Sequence, residues 1–326
     1  MARKPVVFTA MAFTLLCASG AMAGAMPGVS LAPHRAVYDL SLADSSNAIQ
    51  SAMGRVVYEI TGTACDGYAS RSRQVVVLEG ESSASTTDMR MTTFEDASGG
   101  SFRFKAETRN ANAPPKLIDG EAVRRDGAVA VNFVKPGRET LKLGDAMFPA
   151  AHLKTLIAEA KAGKPIVEAR VFDGSEDGRS FYDTLAVIGR ADTISSKTAR
   201  PGKDDLRKDE LGEGEVGESG AGKSGVGKSD LAKGDLTKGD LGASDEIADA
   251  ERQRRLDGLF GNASHWPIAI SYFKQATGRS EALPVYVLSF DLYENGIARS
   301  LTLKYDNFTL KGELKELELL KAAACE

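Results

Sequence analysis

The sequence predicts a mostly β protein, built as a long antiparallel sheet that curls into a β-spiral or open barrel. Most of the chain alternates apolar and polar residues with a period of two, and turn signals recur at intervals of roughly 10 to 15 residues. A low-complexity tract rich in glycine and charge separates two such β-rich parts. We therefore expect one curled sheet, one or two short helices and a disordered insert.

The first 23 residues are predicted to be a secretory signal peptide. Arg3 and Lys4 precede an apolar run, 6–17, that is too short to span a bilayer as a helix. The small residues of Ala21-Met22-Ala23 place the cleavage site between Ala23 and Gly24. The mature protein is therefore expected to be exported and soluble.

The composition argues against several classes of protein. Asp and Glu number 45 against 41 Lys and Arg, whereas a protein that binds a phosphate backbone needs a basic face. Aromatic residues are 7% of the chain, too few for rows of base-stacking side chains. Three histidines and three cysteines are too few for most multi-metal sites. We predict no nucleic acid, no metal and no cofactor.

Residues 24–189 are predicted to form the first part of the β-spiral domain. Alternation begins at Arg35 and continues through Leu42. Further strands are expected at 55–60, 68–78, 84–94, 101–108, 128–134, 166–172 and 181–188. Turn signals such as Cys65-Asp-Gly67 and Arg125-Asp-Gly127 separate them. Alternation with one polar face is typical of antiparallel sheet that has one face in water.

One helix is predicted inside this first part. Pro149 suits the first helical position, Gly163 suits the position just past the end, and Pro165 follows. Its apolar side chains share one face, so it is expected to plug the mouth or interior of the curved sheet: Leu153, Leu156, Ile157 and Ala160. The acidic turn 173–178 lacks the ligand spacing of a Ca²⁺ loop and is predicted to be a solvated hairpin loop.

Residues 190–245 are predicted to be a disordered low-complexity insert. From Lys203 to Gly242, eight pentads in succession carry an apolar fourth residue, a period that fits neither helix nor strand. A pentapeptide β-helix is the alternative, but so few pentads make only about two coils. Two overlapping P-loop-like matches fall within 217–229. No buried strand precedes them, so we predict no nucleotide binding.

Residues 246–326 are predicted to form the second part of the β-spiral domain. A helix is expected at 246–260, followed by strands at 266–273, 284–293, 298–305 and 308–319. Glu294-Asn-Gly296 is a strong hairpin signal between two of these strands.

No catalytic motif is recognisable in the sequence. There is no Gly-x-Ser-x-Gly elbow, and His34, His152 and His265 are far apart along the chain. Cleavage would remove Cys17 and leave Cys65 and Cys325. An isolated pair in an oxidising compartment favours a disulfide, and two unrelated buried thiols are the alternative. We predict that the protein is not an enzyme.

Six short segments occur in a fixed order along the chain. They are Ala32-Pro-His-Arg-Ala-Val-Tyr-Asp-Leu40, Cys65-Asp-Gly-Tyr68, Met147-Phe-Pro-Ala-Ala-His152, Val171-Phe-Asp-Gly-Ser175, Glu294-Asn-Gly296, and the Leu-rich run 314–320 that ends in Cys325. This ordered set resembles the EipB family of cell-envelope-integrity proteins of Gram-negative bacteria. The resemblance covers about 30–190 and 265–326, and the 190–245 tract departs from the family pattern.

The resemblance implies a periplasmic β-spiral that helps to maintain the cell envelope without established catalysis. It also implies a disulfide between Cys65 and Cys325, which we expect to hold the last strand in place. Two functions then remain open. The protein is expected to be a scaffold or adaptor for another periplasmic or envelope protein, or a carrier of a lipid or other amphiphile inside the curved sheet. A packed interior with an exposed apolar patch would favour the adaptor, and a continuous apolar cavity would favour the carrier.

Overall fold

The computed structural model describes residues 28–45, 49–81, 83–111, 113–193, 238–276, 279–280, 283–323 and 325. The predicted signal peptide, with its cleavage site between Ala23 and Gly24, lies outside the described residues. Most of the pentad tract, including the P-loop-like matches at 217–229, also lies outside them.

The described chain forms one antiparallel sheet and two helices, so the predicted fold class is confirmed. Fourteen strands follow one another in the order β8-β7-β6-β5-β4-β3-β2-β1-β16-β15-β14-β12-β10-β9, and the two-residue strands β11 and β13 each pair with β12. The strands are β1 His34–Ser45, β2 Ser51–Thr63, β3 Gly67–Glu79, β4 Ala84–Glu95, β5 Ser101–Asn110, β6 Lys116–Arg125, β7 Ala128–Lys135, β8 Glu139–Gly144, β9 Ile166–Val171, β10 Tyr182–Ile188, β11 Asp192–Thr193, β12 Ser264–Ala276, β13 Arg279–Ser280, β14 Tyr286–Tyr293, β15 Ala298–Lys304 and β16 Phe308–Leu319.

The sheet curls until its two edge strands, β8 and β9, approach each other. Met147, just after β8, forms a parallel bridge with Val171 at the end of β9. Its N–H donates to the carbonyl of Arg170, and its carbonyl accepts from the N–H of Phe172. Arg179, which follows β9, pairs with Glu139 of β8 at 2.5 Å. The sheet is therefore nearly closed at one point, although no β8–β9 ladder forms between the described strands.

Helix α1, Pro149–Lys161, begins and ends as the sequence predicts, with Pro149 at its start and Gly163 at a positive φ of 75° beyond its end. Leu156, Ile157 and Ala160 are buried in the core, so the helix plugs the interior of the sheet.

Helix α2, Lys238–Phe260, begins eight residues before the predicted start at 246, inside the range predicted as insert. It lies where the sheet splits: β15 and β16 pair only from Leu301 to Lys304, although β16 stays paired to β1 along its length. Leu256 and Phe260 enter this split and pack with Tyr38 and Leu314. Neither helix of the described chain is long and apolar enough to cross a membrane.

Four strands are not predicted by the alternation pattern, namely β6, β8 and the two-residue strands β11 and β13. The inward positions of β6 include Gly120 and Ala122, which carry too little apolar surface to mark a strand in the sequence. Their small size has a structural reason, since a Cβ at Gly120 would lie 2.9 Å from the ring of Phe104.

Candidate functional site

The interior of the curled sheet is sealed at one end by α1, and a buried carboxylate holds that helix in place. The N-cap residue Phe148 provides no side-chain hydrogen bond. Instead Glu95, at the end of β4 and 3% exposed, accepts the N–H groups of Ala150 at 2.7 Å and Ala151 at 2.8 Å. Two otherwise unpaired amides at the helix N-terminus are thereby satisfied. Burial raises the pKa of Glu95, while the two amides and the nearby Lys154 act in the opposite direction.

A cluster of phenylalanines fills the space beside α1. The rings stack or meet edge to face with centroids 5.2 to 6.4 Å apart. Its aromatic members are Phe102, Phe104, Phe133, Phe148, Phe172 and Phe181. They come from β5, β7, the residue that precedes α1 and the β9–β10 connection, so this cluster packs the two ends of the sheet against each other. We call this cluster together with α1 the closed end.

The β9–β10 loop lies partly inside the molecule, so the prediction of a solvated loop at 173–178 is wrong. Gly174 and Gly178 both have positive φ, at 68° and 67°. A Cβ at Gly174 would lie 2.6 Å from the ring of Phe104, and one at Gly178 would lie 3.0 Å from the ring of Phe133. Glycine is needed here for both the backbone conformation and the close approach, and the acidic composition of the turn conceals this packing.

Four tyrosines line the opposite, open end of the interior. Tyr272 of β12 pairs with Tyr286 of β14, and their rings stack with centroids 4.4 Å apart. Tyr305, just after β15, lies 6.2 Å from Tyr286, and Tyr182 of β10 meets Tyr272 edge to face at 5.9 Å. We call these four rings the tyrosine row.

The side chains at the open end are only partly covered. Tyr272, Tyr286 and Tyr305 are only half-buried although they face the inside of the sheet. Half-buried side chains also line the neighbouring inner face, and they are Tyr58, Ser72, Gln74, Met89, Leu288 and Leu301. Solvent therefore reaches the inner face at this end, in contrast to the closed end.

The tyrosine row stays uncharged and lies near the carboxyl groups of Asp173 and Glu176. Burial raises the pKa of Tyr272 and Tyr286, and the negative charge of Asp173 adds to both shifts. Burial also raises the pKa of Asp173 itself, although Ser175 hydrogen-bonds to its carboxylate. The adjacent Glu176 is paired with Lys274 at 2.5 Å. The open end thus combines electron-rich rings, an acidic group and apolar side chains.

The outer face of the sheet differs between its two halves. On β1 to β4 it carries ion pairs, such as Arg55 with Asp39 at 2.7 Å and Arg73 with Asp88 at 2.9 Å. On the other half, directly paired residues of four strands form an uncharged and largely apolar row whose members share one face: Ile166, Val187, Ala269 and Ser289. Ile166 is 56% exposed and Val187 is 51% exposed.

This row belongs to what we call the outer patch, which also includes Leu185, Pro267 and Val287. A shallow groove of about 360 Å³ crosses it beside Val187 and Pro267. A larger cleft of about 900 Å³ lies over β4 to β8, but its wall mixes acidic and basic groups such as Arg103, Lys105, Asp119 and Glu121. Of these two surfaces, only the outer patch is apolar and carries almost no charge at its centre.

The structure joins Cys65 and Cys325 in a disulfide, with an S–S distance of 2.06 Å and a Cα–Cα distance of 5.8 Å. Cys65 lies in the turn between β2 and β3, and Cys325 follows β16. The last strand, which the bond was expected to hold in place, is an interior strand, because β16 lies between β1 and β15 and the edges of the sheet are β8 and β9. The bond ties the end of the chain to an early turn across the middle of the sheet.

The structure keeps the three histidines apart. His34 begins β1, His152 lies on α1 with an unpartnered buried Nε2, and His265 of β12 stacks on Tyr293. Burial lowers the pKa of His152 to about 4. Among the described residues, no group of three or more His, Cys, Asp and Glu side chains is arranged to hold a metal ion.

Comparison with known proteins gives a consistent result. A sequence model of the EipB-like family matches residues 25–215 and 235–321. The "Cell envelope integrity protein EipB" of Brucella abortus (strain 2308) is 31% identical over 300 residues, which is 91% of this chain and 87% of that protein. A crystal structure of a β-barrel-like protein of a domain of unknown function, also from Brucella abortus, superimposes with a TM-score of 0.67 at 28% identity. The superposition covers 90% of this chain and 100% of the chain in that crystal structure.

Proposed function

The chain belongs to the EipB-like family, and on that premise we propose that it is an exported periplasmic protein that maintains the integrity of the cell envelope without catalysis. We propose that it acts as an adaptor that binds another envelope protein through the outer patch. The envelope role is supported by the similarity to the cell envelope integrity protein EipB of Brucella abortus. The proposed adaptor role rests on the exposed apolar row on the outer face of β9, β10, β12 and β14.

An exposed apolar patch on a sheet face marks an interaction surface, because water is a poor environment for it. Directly paired small side chains, Ala269 and Ser289, leave the middle of the patch flat, so another surface can approach the backbone closely. Charged side chains lie toward its rim, at Glu168, Asp291 and Lys304. The partner is therefore expected to present a flat apolar surface with few charges at its centre.

Site-specific photocrosslinking in cells tests this role. A photoreactive residue at position 187 is expected to give one discrete adduct with another envelope protein, whereas the same residue at exposed Thr92 on the charged half gives none. With the photoreactive residue moved to the neighbouring exposed Ile166, Val187→Asp should abolish the adduct. The same substitution should abolish the resistance of cells to envelope stress, while the thermal midpoint of the purified protein stays within a few degrees. Equal adducts at both positions, or an adduct with the mass of two copies of this chain, would exclude the adaptor role.

A second candidate function has its own support. The half-buried inner face at the open end places Leu288 and Leu301 beside the tyrosine row. Apolar side chains next to a few polar groups in a concave surface are typical of sites that hold a small amphipathic ligand. The alternative function is therefore a carrier or binder of an amphiphile within the curved sheet.

A further inference from the structure

We infer that the open end binds an organic ammonium group, with Asp173 as its counter-ion and the tyrosine row as its aromatic wall. This inference rests on the carrier function proposed above and adds the chemistry of the head group. It is independent of the outer patch, which lies on the opposite face of the sheet.

The first argument is the charge at the site. Asp173 is half-buried, and the other charged groups of its own loop are Glu176, Asp177 and Arg179. Arg179 pairs with Glu139 of β8, and the facing strand β12 contributes Lys274. The Lys274 ammonium is already held by Glu176 on the same loop. Within the described ranges, no Lys or Arg forms an ion pair with Asp173, and its hydrogen bonds come from its own turn. A recessed carboxylate without a cation attracts a positively charged ligand.

The second argument is the aromatic wall. Cations bind favourably near the electron-rich rings of tyrosine when they lie within about 6 Å of a ring centroid. Neighbouring centroids in the tyrosine row are 4.4 to 6.2 Å apart. A cation at the surface of the row is therefore within reach of more than one ring. All four tyrosines keep their phenol groups neutral because burial raises each pKa, so the wall adds no charge of its own.

The third argument is the apolar floor beside the acid. Tyr58, Leu288 and Leu301 are half-buried and pack against the core cluster that contains α1. An alkyl chain lying on these side chains would cover apolar surface that is now in contact with water. The arrangement therefore fits an amphiphile with a cationic head and an apolar tail, and it disfavours one with an anionic head because Asp173 would repel it.

Calorimetric titration of the mature protein tests the head group and the site together. The probes are decyltrimethylammonium, decyl sulfate and tetramethylammonium, the first two below their micelle concentrations. We expect decyltrimethylammonium to bind, and we expect decyl sulfate not to bind. Asp173→Asn should weaken binding about tenfold. It keeps the turn, because the asparagine oxygen can still accept the N–H of Ser175.

Two further variants separate the rings from the charge. Tyr286→Leu removes a ring and should weaken binding by about 2- to 30-fold. Glu168→Gln makes the same charge change as Asp173→Asn on the outer face of β9, and it should leave the affinity unchanged.

The pH dependence provides a readout that a structural role of Asp173 would not give. The carboxylate must be ionised to attract the cation, so affinity should fall as the pH falls through the raised pKa of Asp173. Binding near that pKa should release protons, seen as heats that depend on the ionisation enthalpy of the buffer. Both effects should vanish in Asp173→Asn.

Each remaining outcome overturns a different statement. If decyltrimethylammonium binds wild type, Asp173→Asn and Glu168→Gln equally, the carrier function stands and the site is wrong. If decyl sulfate binds as well as the ammonium probe, the inferred head group is wrong. If neither amphiphile binds but tetramethylammonium does, the carrier function fails and the ammonium site stands. If no probe binds, both fail.

Discussion

Glu95 at the closed end and Asp173 at the open end are carboxyl groups on the inside of the same sheet, but their surroundings differ. Glu95 receives two helix amides and has Lys154 nearby, and the phenylalanine cluster beside it excludes water. Asp173 has hydrogen bonds only from its own turn and faces half-buried tyrosines. The closed end therefore contributes mainly to stability, whereas the open end is left able to bind.

The largest expected difference between the two ends is in core truncation. Phe102 is 1% exposed and packs against Phe104, Phe148 and Phe172, so Phe102→Ala should lower the free energy of unfolding by about 3 to 5 kcal/mol. Tyr286→Leu, at the half-buried open end, should cost less than about 2 kcal/mol. Denaturant unfolding measures both, and equal losses would mean that the open end is packed as tightly as the closed end.

The disulfide is expected to have the next largest effect, and it belongs to neither end. Cys65 and Cys325 are 260 positions apart, so their bond closes a very long loop. Cys65→Ser should lower the free energy of unfolding by about 2 to 4 kcal/mol. Because β16 is an interior strand, the variant should expose the tail after Leu319 to protease before it exposes any strand. Alkylation of two thiols in protein extracted from cells without reduction would show that the bond is absent.

A smaller effect is expected at the helix cap. Glu95→Gln keeps the shape but loses one of two acceptor oxygens, so it should lower the free energy of unfolding by about 1 to 3 kcal/mol. The carboxyl has a raised pKa in the folded state, so its contribution to stability is fully present below the unfolded value near 4.5 and declines as the pH rises through the folded pKa. The cost of the substitution should therefore be larger at pH 4.5 than at pH 7. A cost that grows with rising pH would contradict this direction.

The sequence predicts the fold better than the site because strand alternation is local and the site is not. Alternation and turn residues predict most strands, and Pro149 with Gly163 predicts both ends of α1. The role of Glu95 was not predictable in this way, since its partner Ala150 is 55 positions away. Tyr272, Tyr286 and Tyr305 lie at inward positions on, or just after, β12, β14 and β15. The sequence pattern could therefore have indicated that these three rings lie side by side. Their contact with Tyr182 and Asp173 depends on strand register and on a loop whose acidic residues suggested a solvated position.

The central claim is that one end of the interior is sealed and the other is open to a ligand. The eight tyrosines of the chain report on this directly. Four are buried, namely Tyr38, Tyr68, Tyr182 and Tyr293. The other four are half-buried, and they are Tyr58, Tyr272, Tyr286 and Tyr305.

Hydroxyl-radical footprinting with mass spectrometry, with and without decyltrimethylammonium, tests this claim in one measurement. We expect labelling of the half-buried set and little labelling of the buried set. We also expect the ammonium probe to protect Tyr272, Tyr286 and Tyr305 without changing Tyr38 or Tyr293. Uniform protection of all eight tyrosines in the free protein, or labelling at the open end that the probe leaves unchanged, would contradict the account.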